Sequence, residues 1–144
     1  MPRRAGGVAP ASAAPTYRHR VRKQYHFRPS ESGLLAWNVD RLIALTASLP
    51  VEQVPLTAVR ELDTAYWFGG QAPTVREVVV HLRLVEEADL AYPIVLDPDG
   101  GVMDGMHRVA KALLAGHDTI TARRLSALPE PDHSDVRPED LPYD

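Results

Sequence analysis

The chain has 144 residues, a formal net charge of −3 and no cysteine. That length fits one domain with room for a real core. The charge gives no global pull toward nucleic acid or an anionic membrane, and the missing cysteine excludes disulfides, thiolate metal sites and a thiol nucleophile. No apolar run approaches membrane-spanning length and the N-terminus lacks the apolar region of a secretory signal, so a soluble cytoplasmic protein is expected.

Residues 1–23 are rich in Ala, Gly and Pro at first, then gather Arg18, Arg20, Arg22 and Lys23 behind Arg3 and Arg4 with no acid among them. They read as a disordered basic arm. Such an arm suits nucleic acid or an acidic partner, but a solvated tail is the commoner outcome. Ordered structure is expected from Tyr25-His26-Phe27, and residues 24–128 form the domain. Trp37, Val39, Leu42, Ile43, Leu45 and Leu49 mark an amphipathic helix over 38–48, with Asn38 as N-cap, Asp40 in the first turn and Pro50 as the stop. Val54 to Asp63 reads as a strand running into a turn.

Tyr66-Trp67-Phe68 is an aromatic cluster before a Gly69-Gly70 loop. Its rings either fill the core or stack on a base. Thr74 and Glu77 form a capping box for a helix to about Glu87, with Val75, Val78, Val79, Leu82 and Val85 on its core face. His81 borders that stripe. Together with Trp67 and Asp89 it forms a candidate pocket beside the next strand. A lone histidine there is more often a packed, hydrogen-bonded residue.

The most informative stretch is Tyr92 to Gly116. Ile94 to Leu96 is a short buried strand, Asp97-Pro98-Asp99-Gly100 a turn, and Val102-Met103 the returning strand. Asp104-Gly105 then opens a helix that Gly116 closes as the C′ glycine. Met106, Val109, Ala110, Leu113 and Leu114 form its core stripe. His107, Arg108 and Lys111 lie off that stripe near the helix start, where the first amides lack partners and the dipole is positive. That combination is an anion corner, most naturally for phosphate. The plainer reading is a helix capped by Asp104 with a few solvated bases.

After Gly116, Thr119 to Leu125 alternates as a closing strand. Residues 129–144 are Pro-rich and acidic, an extended tail that wraps the domain or stays mobile. Leu141 and Tyr143 are its anchors, to the body or to a second copy in a homodimer.

Gly105-Met106-His107-Arg108-Val109-Ala110-Lys111-Ala112, preceded by Pro93-Ile94-Val95, resembles the ParB/sulfiredoxin superfamily. The likeness covers about residues 54–125. It implies an α+β fold, a small mixed sheet flanked by helices. It also implies a turn that binds nucleotide phosphates, of CTP or ATP, through Gly105, His107 and Arg108, with Met106 at the same corner and Lys111 as outer support. Sulfiredoxin-type repair needs a cysteine where this chain has Met106, and is excluded. The chromosome-partitioning members carry Arg-Arg in place of His107-Arg108 and add a helix-turn-helix, so a DNA clamp is not expected. Small-molecule kinases of the free-serine type carry Asp-Gly-His-His-Arg, and Asp104-Gly105-Met106-His107-Arg108 departs from it only at Met106.

The resemblance therefore points to a nucleotide-dependent enzyme using ATP, ADP or CTP with Mg²⁺ to phosphorylate a small-molecule acceptor. Asp104 would be the base or a Mg²⁺ ligand. Glu61, which falls loosely where those kinases carry a functional glutamate, would be the second carboxylate. The alternative is a nucleotide-binding regulatory module without turnover. A nuclease lacks a dedicated metal-ligand cluster here.

Overall fold

The computed structural model describes residues 24–143, so the basic arm at 1–23 lies outside the described residues. Strands β1 (Tyr25–Pro29) and β2 (Leu34–Asn38) form an antiparallel hairpin that runs straight into helix α1 (Val39–Thr46). Asn38 caps α1 as expected, its Oδ1 accepting from Asp40 N and Arg41 N. Trp37, assigned above to the helix, belongs instead to β2. Strand β3 (Glu52–Pro55) is shorter than expected, because the chain turns at Pro55 into two 3₁₀ turns, Leu56–Ala58 and Arg60–Asp63.

Helix α2 (Val75–Glu87) begins at the Thr74–Glu77 capping box, both of whose hydrogen bonds are formed. Strands β4 (Ile94–Leu96) and β5 (Val102–Asp104) flank the Asp97–Gly100 turn, followed by helix α3 (Met106–Leu114) and strand β6 (Thr119–Arg124). Gly116 has φ +82°. Its N–H reaches Leu113 O while His117 N reaches Ala112 O, a Schellman ending. The four-stranded sheet runs β3-β6-β4-β5; β6 is parallel to β4, and the other pairs are antiparallel. The expected strand after Gly116 forms as β6 and lies in the interior of the sheet. The fold is α+β with two small sheets.

The period-two alternation of β4 and β5 divides the core between the two faces of this sheet. Ile94, Leu96 and Val102 face Met106, Val109 and Ala112 of α3, with Leu56 and Val59 of the 3₁₀ turns beside them. Val95 and Met103 face the other way, onto Trp37, Leu42 and Leu125. Each fully buried side chain of this size contributes roughly 1.5–3 kcal/mol.

Two helical stripes differ from expectation. On α2 only Val85 is buried, while Val75 is 81% exposed and Val78, Val79 and Leu82 also stand in solvent. The helix touches α3 through its His81 flank, and no other described element covers its valine side. On α3, Leu113 and Leu114 are 54% and 74% exposed, because the helix turns Ala112 rather than Leu113 toward the sheet.

The tail takes the first of its two expected courses. Strand β7 (His133–Val136) pairs with β2 and completes a second sheet, β1-β2-β7. Leu141 is buried, and Tyr143 packs edge-on against Tyr25 of the same chain with ring centroids 5.4 Å apart.

Candidate functional site

Strand β5 delivers Asp104 to the corner and Gly105 turns the chain into α3. Gly105 has φ +112°, and a Cβ there would sit 2.5 Å from Ile94 Cγ2. Glycine is therefore required by the backbone angle and by the approach of β4, before any ligand is considered. Asp104 is not the N-cap expected above. Gly105 is, and no side chain caps the helix. Asp104 is drawn away by Arg108, whose Nη2 donates to Oδ2 at 2.8 Å.

Arg108 does not face outward. Its Nη1 donates to Tyr92 O at 2.9 Å and Pro93 O at 2.7 Å, so the guanidinium stitches the entry of β4 to the end of β5. All three bonds are internal, whereas the sequence placed Arg108 toward a phosphate. The planar fork meets three nearby acceptors whose desolvation it offsets. Lys111 is likewise engaged within the chain. Its Nζ donates to Glu86 O at 2.9 Å and Ala88 O at 2.5 Å, closing the C-terminal carbonyls of α2 instead of supporting the corner. Burial raises the Asp104 carboxyl above the ordinary range, Arg108 opposes that shift, and Asp40 adds to it.

His107 leaves the corner sideways. Its Nε2 lies 2.8 Å from His81 Nδ1, and both rings stack on Trp67 at 4.6 Å between centroids, tilted by only 10° and 16°. The two imidazoles are 5.1 Å apart between centroids and nearly coplanar. That distance is the N···N separation plus one ring radius on each side, so the hydrogen bond lies along the line of centres. The facing nitrogens therefore point at each other and do not converge on a shared ion. One donates and the other accepts, so a doubly protonated pair would lose the bond. Burial, then the neighbouring His81, lowers His107 to about 4; burial also lowers His81, against the pull of Glu77. At neutral pH His107 is therefore uncharged, and its Nε2 is engaged with His81. Trp67 and His81 do come together as expected. Asp89 does not join them; its Oδ1 accepts from Ala91 N in the turn before β4.

Glu61 sits on the second 3₁₀ turn. One carboxylate oxygen, Oε2, accepts from Val102 N at 2.9 Å on the open edge of β5, and the other, Oε1, is buried without a hydrogen-bond partner. The carboxylate borders a cleft of about 140 Å³ lined by Leu62, Tyr66, Trp67, Phe68, Met106 and Ala110 among others. Burial raises the Tyr66 phenol, with Glu61 and Asp104 adding to the shift and Arg28 opposing it. Among the described residues, no three His, Cys, Asp or Glu side chains form a group able to hold a metal ion.

A second polar cluster has no counterpart in the sequence reading. Arg28 Nε donates to His26 Nε2 at 2.9 Å and Nη2 donates to Asp97 Oδ2 at 2.7 Å. Burial, then the Arg28 charge, lowers His26 to about 4, while Asp97 offsets part of the shift. The only advance signal was the Asp97 turn itself, whose Oδ1 accepts from Asp99 N and Gly101 N.

No protein-family model, curated protein or solved structure matches the chain. The residues themselves therefore carry the functional argument. Among the described residues, no helix is long and apolar enough to cross a membrane.

Proposed function

We propose that the chain is a nucleotide-binding module of the ParB/sulfiredoxin kind, taking the phosphates of ATP, ADP or CTP at the start of α3 without turning them over. The observation that carries this reading is the uncapped helix: Gly105 stands at the N-cap with no side-chain bond, while Asp104 is held aside by Arg108. The amides of Met106, His107 and Arg108 have no acceptor within the helix, and the dipole favours an anion there. The absence of turnover is supported by the engagement of the catalytic candidates, Asp104 with Arg108 and Glu61 with Val102. A nucleotide is larger than the neighbouring cleft, since sites that enclose such ligands span about 300–1,000 Å³, so its base and sugar lie outside that cleft.

Phosphoryl transfer to a small acceptor, for which Asp104 and Glu61 would hold Mg²⁺, is the second reading. It is favoured by the two carboxylates converging electrostatically on Tyr66.

One titration separates the two. ATP, ADP or CTP with Mg²⁺ is added to labelled protein, followed by amide shifts and by phosphorus NMR. The module reading expects saturable shifts centred on Gly105 to Arg108 and no new phosphorus signal. Turnover that Asp104→Asn abolishes favours the kinase. No saturable shift with any of the three nucleotides defeats both.

A further inference from the structure

The Glu61 cleft has a polarity opposite to that of the α3 corner. No lysine or arginine lines it. Its walls are the rings of Tyr66, Trp67 and Phe68 with Leu62, Met106 and Ala110, and Glu61 borders it with Oε2 spent on Val102 N and Oε1 unpartnered and buried. A buried acceptor with no donor costs about 1–3 kcal/mol, more when charged, so such an oxygen points to a missing partner. An anion is repelled here by Glu61, and no basic residue in the lining offsets it. A cation is attracted by the carboxylate and by the ring faces.

The geometry points to a primary ammonium on a short aliphatic stem as the ligand of this cleft. A guanidinium wants two parallel carboxylate oxygens, but Oε2 is committed to Val102 N. A quaternary ammonium has no N–H for Oε1. A primary ammonium donates one of its three N–H groups to Oε1 and keeps the other two toward Tyr66 and the opening. The cleft volume of about 140 Å³ accommodates a stem of a few carbons against Met106 and Ala110. Oε1 has no exposed surface, so the donor reaches it by displacing the rim at 64–70. Tyr66 on that rim is 39% exposed, and Gly69 and Gly70 end it at positive φ with open space around both. The inference is independent of nucleotide binding at α3.

Glu61→Gln is the informative variant. Its amide oxygen keeps the Val102 bond, while its NH₂ group replaces the free acceptor with a donor. The full chain is titrated with butylammonium chloride at pH 7, followed by amide shifts and Trp67 fluorescence, with n-butanol and butylguanidinium as controls. The expected result is a Kd on the order of 1 mM for butylammonium, a fragment-sized affinity. Binding should be at least tenfold weaker for either control and for Glu61→Gln. Equal affinity for butanol overturns the proposal, because the cleft is then merely apolar. No saturable binding overturns it as well, since Oε1 is then simply hydrated. ATP shifts at Gly105 to Arg108 are followed separately on the unaltered chain, so failure at the cleft and failure at the corner are distinguished. If the variant does not fold, the butylammonium–butanol contrast on the unaltered chain still decides.

Discussion

Replacing Arg108 with alanine tests whether the guanidinium holds the corner together or serves a ligand. The substitution removes three hydrogen bonds, to Asp104 Oδ2, Tyr92 O and Pro93 O. It also leaves the Asp104 carboxylate, whose side chain is only 14% exposed, without its counter-charge. Removing one partner of a fully buried pair costs about 3–5 kcal/mol, and the residual exposure here lowers that to about 2–4 kcal/mol. Urea denaturation measures it directly, as a fall in midpoint at unchanged slope.

Adding Asp104→Asn should restore part of the loss, because the stranded charge is then gone; the double-mutant cycle isolates that coupling. Arg108→Lys should recover little, since a single ammonium cannot reproduce the fork. If Arg108→Ala stays within about 0.5 kcal/mol of the parent while nucleotide binding falls tenfold or more, the guanidinium is a ligand and the reasoning is wrong.

Acid should weaken the fold in a defined window. His26 and His107 are lowered to about 4 in the folded chain, and His81 is lowered too. Between the ordinary histidine value of about 6.5 and that lower one the unfolded chain binds more protons. Stability therefore rises with pH across the window and is lost as pH falls through it; a flat profile in urea melts from pH 7 to 4 contradicts this. Lys111→Met should speed hydrogen exchange in the last turn of α2 and cost about 1 kcal/mol, through the freed Glu86 and Ala88 carbonyls. Equal exchange in both proteins would show that the lysine does not hold that end. Gly105→Ala should lose 2 kcal/mol or more, at about the upper range for point changes, because its Cβ meets Ile94 at a positive φ; an unchanged thermal midpoint would refute that.

Local chemistry was legible in the sequence. Asn38, the Thr74–Glu77 box, the Asp97 turn and the Gly116 ending each act within five residues and formed as read. The α+β class came instead with the resemblance carried by Pro93 to Ala112, and the two small sheets bear out that class alone. The site was harder, because its partners are distant or are backbone atoms. Nothing in Arg108 announces that the Tyr92 and Pro93 carbonyls will claim it. Glu61 meets Val102 across 41 positions. The valines of α2 misled for a related reason. Periodicity identifies an apolar stripe, but only a neighbouring element can bury it, and α3 meets that helix on the His81 side.

The strand at His133–Val136 does more than finish a small sheet. The indole of Trp37 donates to Pro129 O at 2.7 Å, and Arg41 reaches Asp132 at 3.1 Å, so the last segment works as a clasp over the β2–α1 junction. Truncation after Leu128 would strip the hydrogen-bonding edge of β2 and uncover Trp37 together. Such a shortened chain would offer a bare template to strands from its own copies, and its first symptom would be self-association during expression.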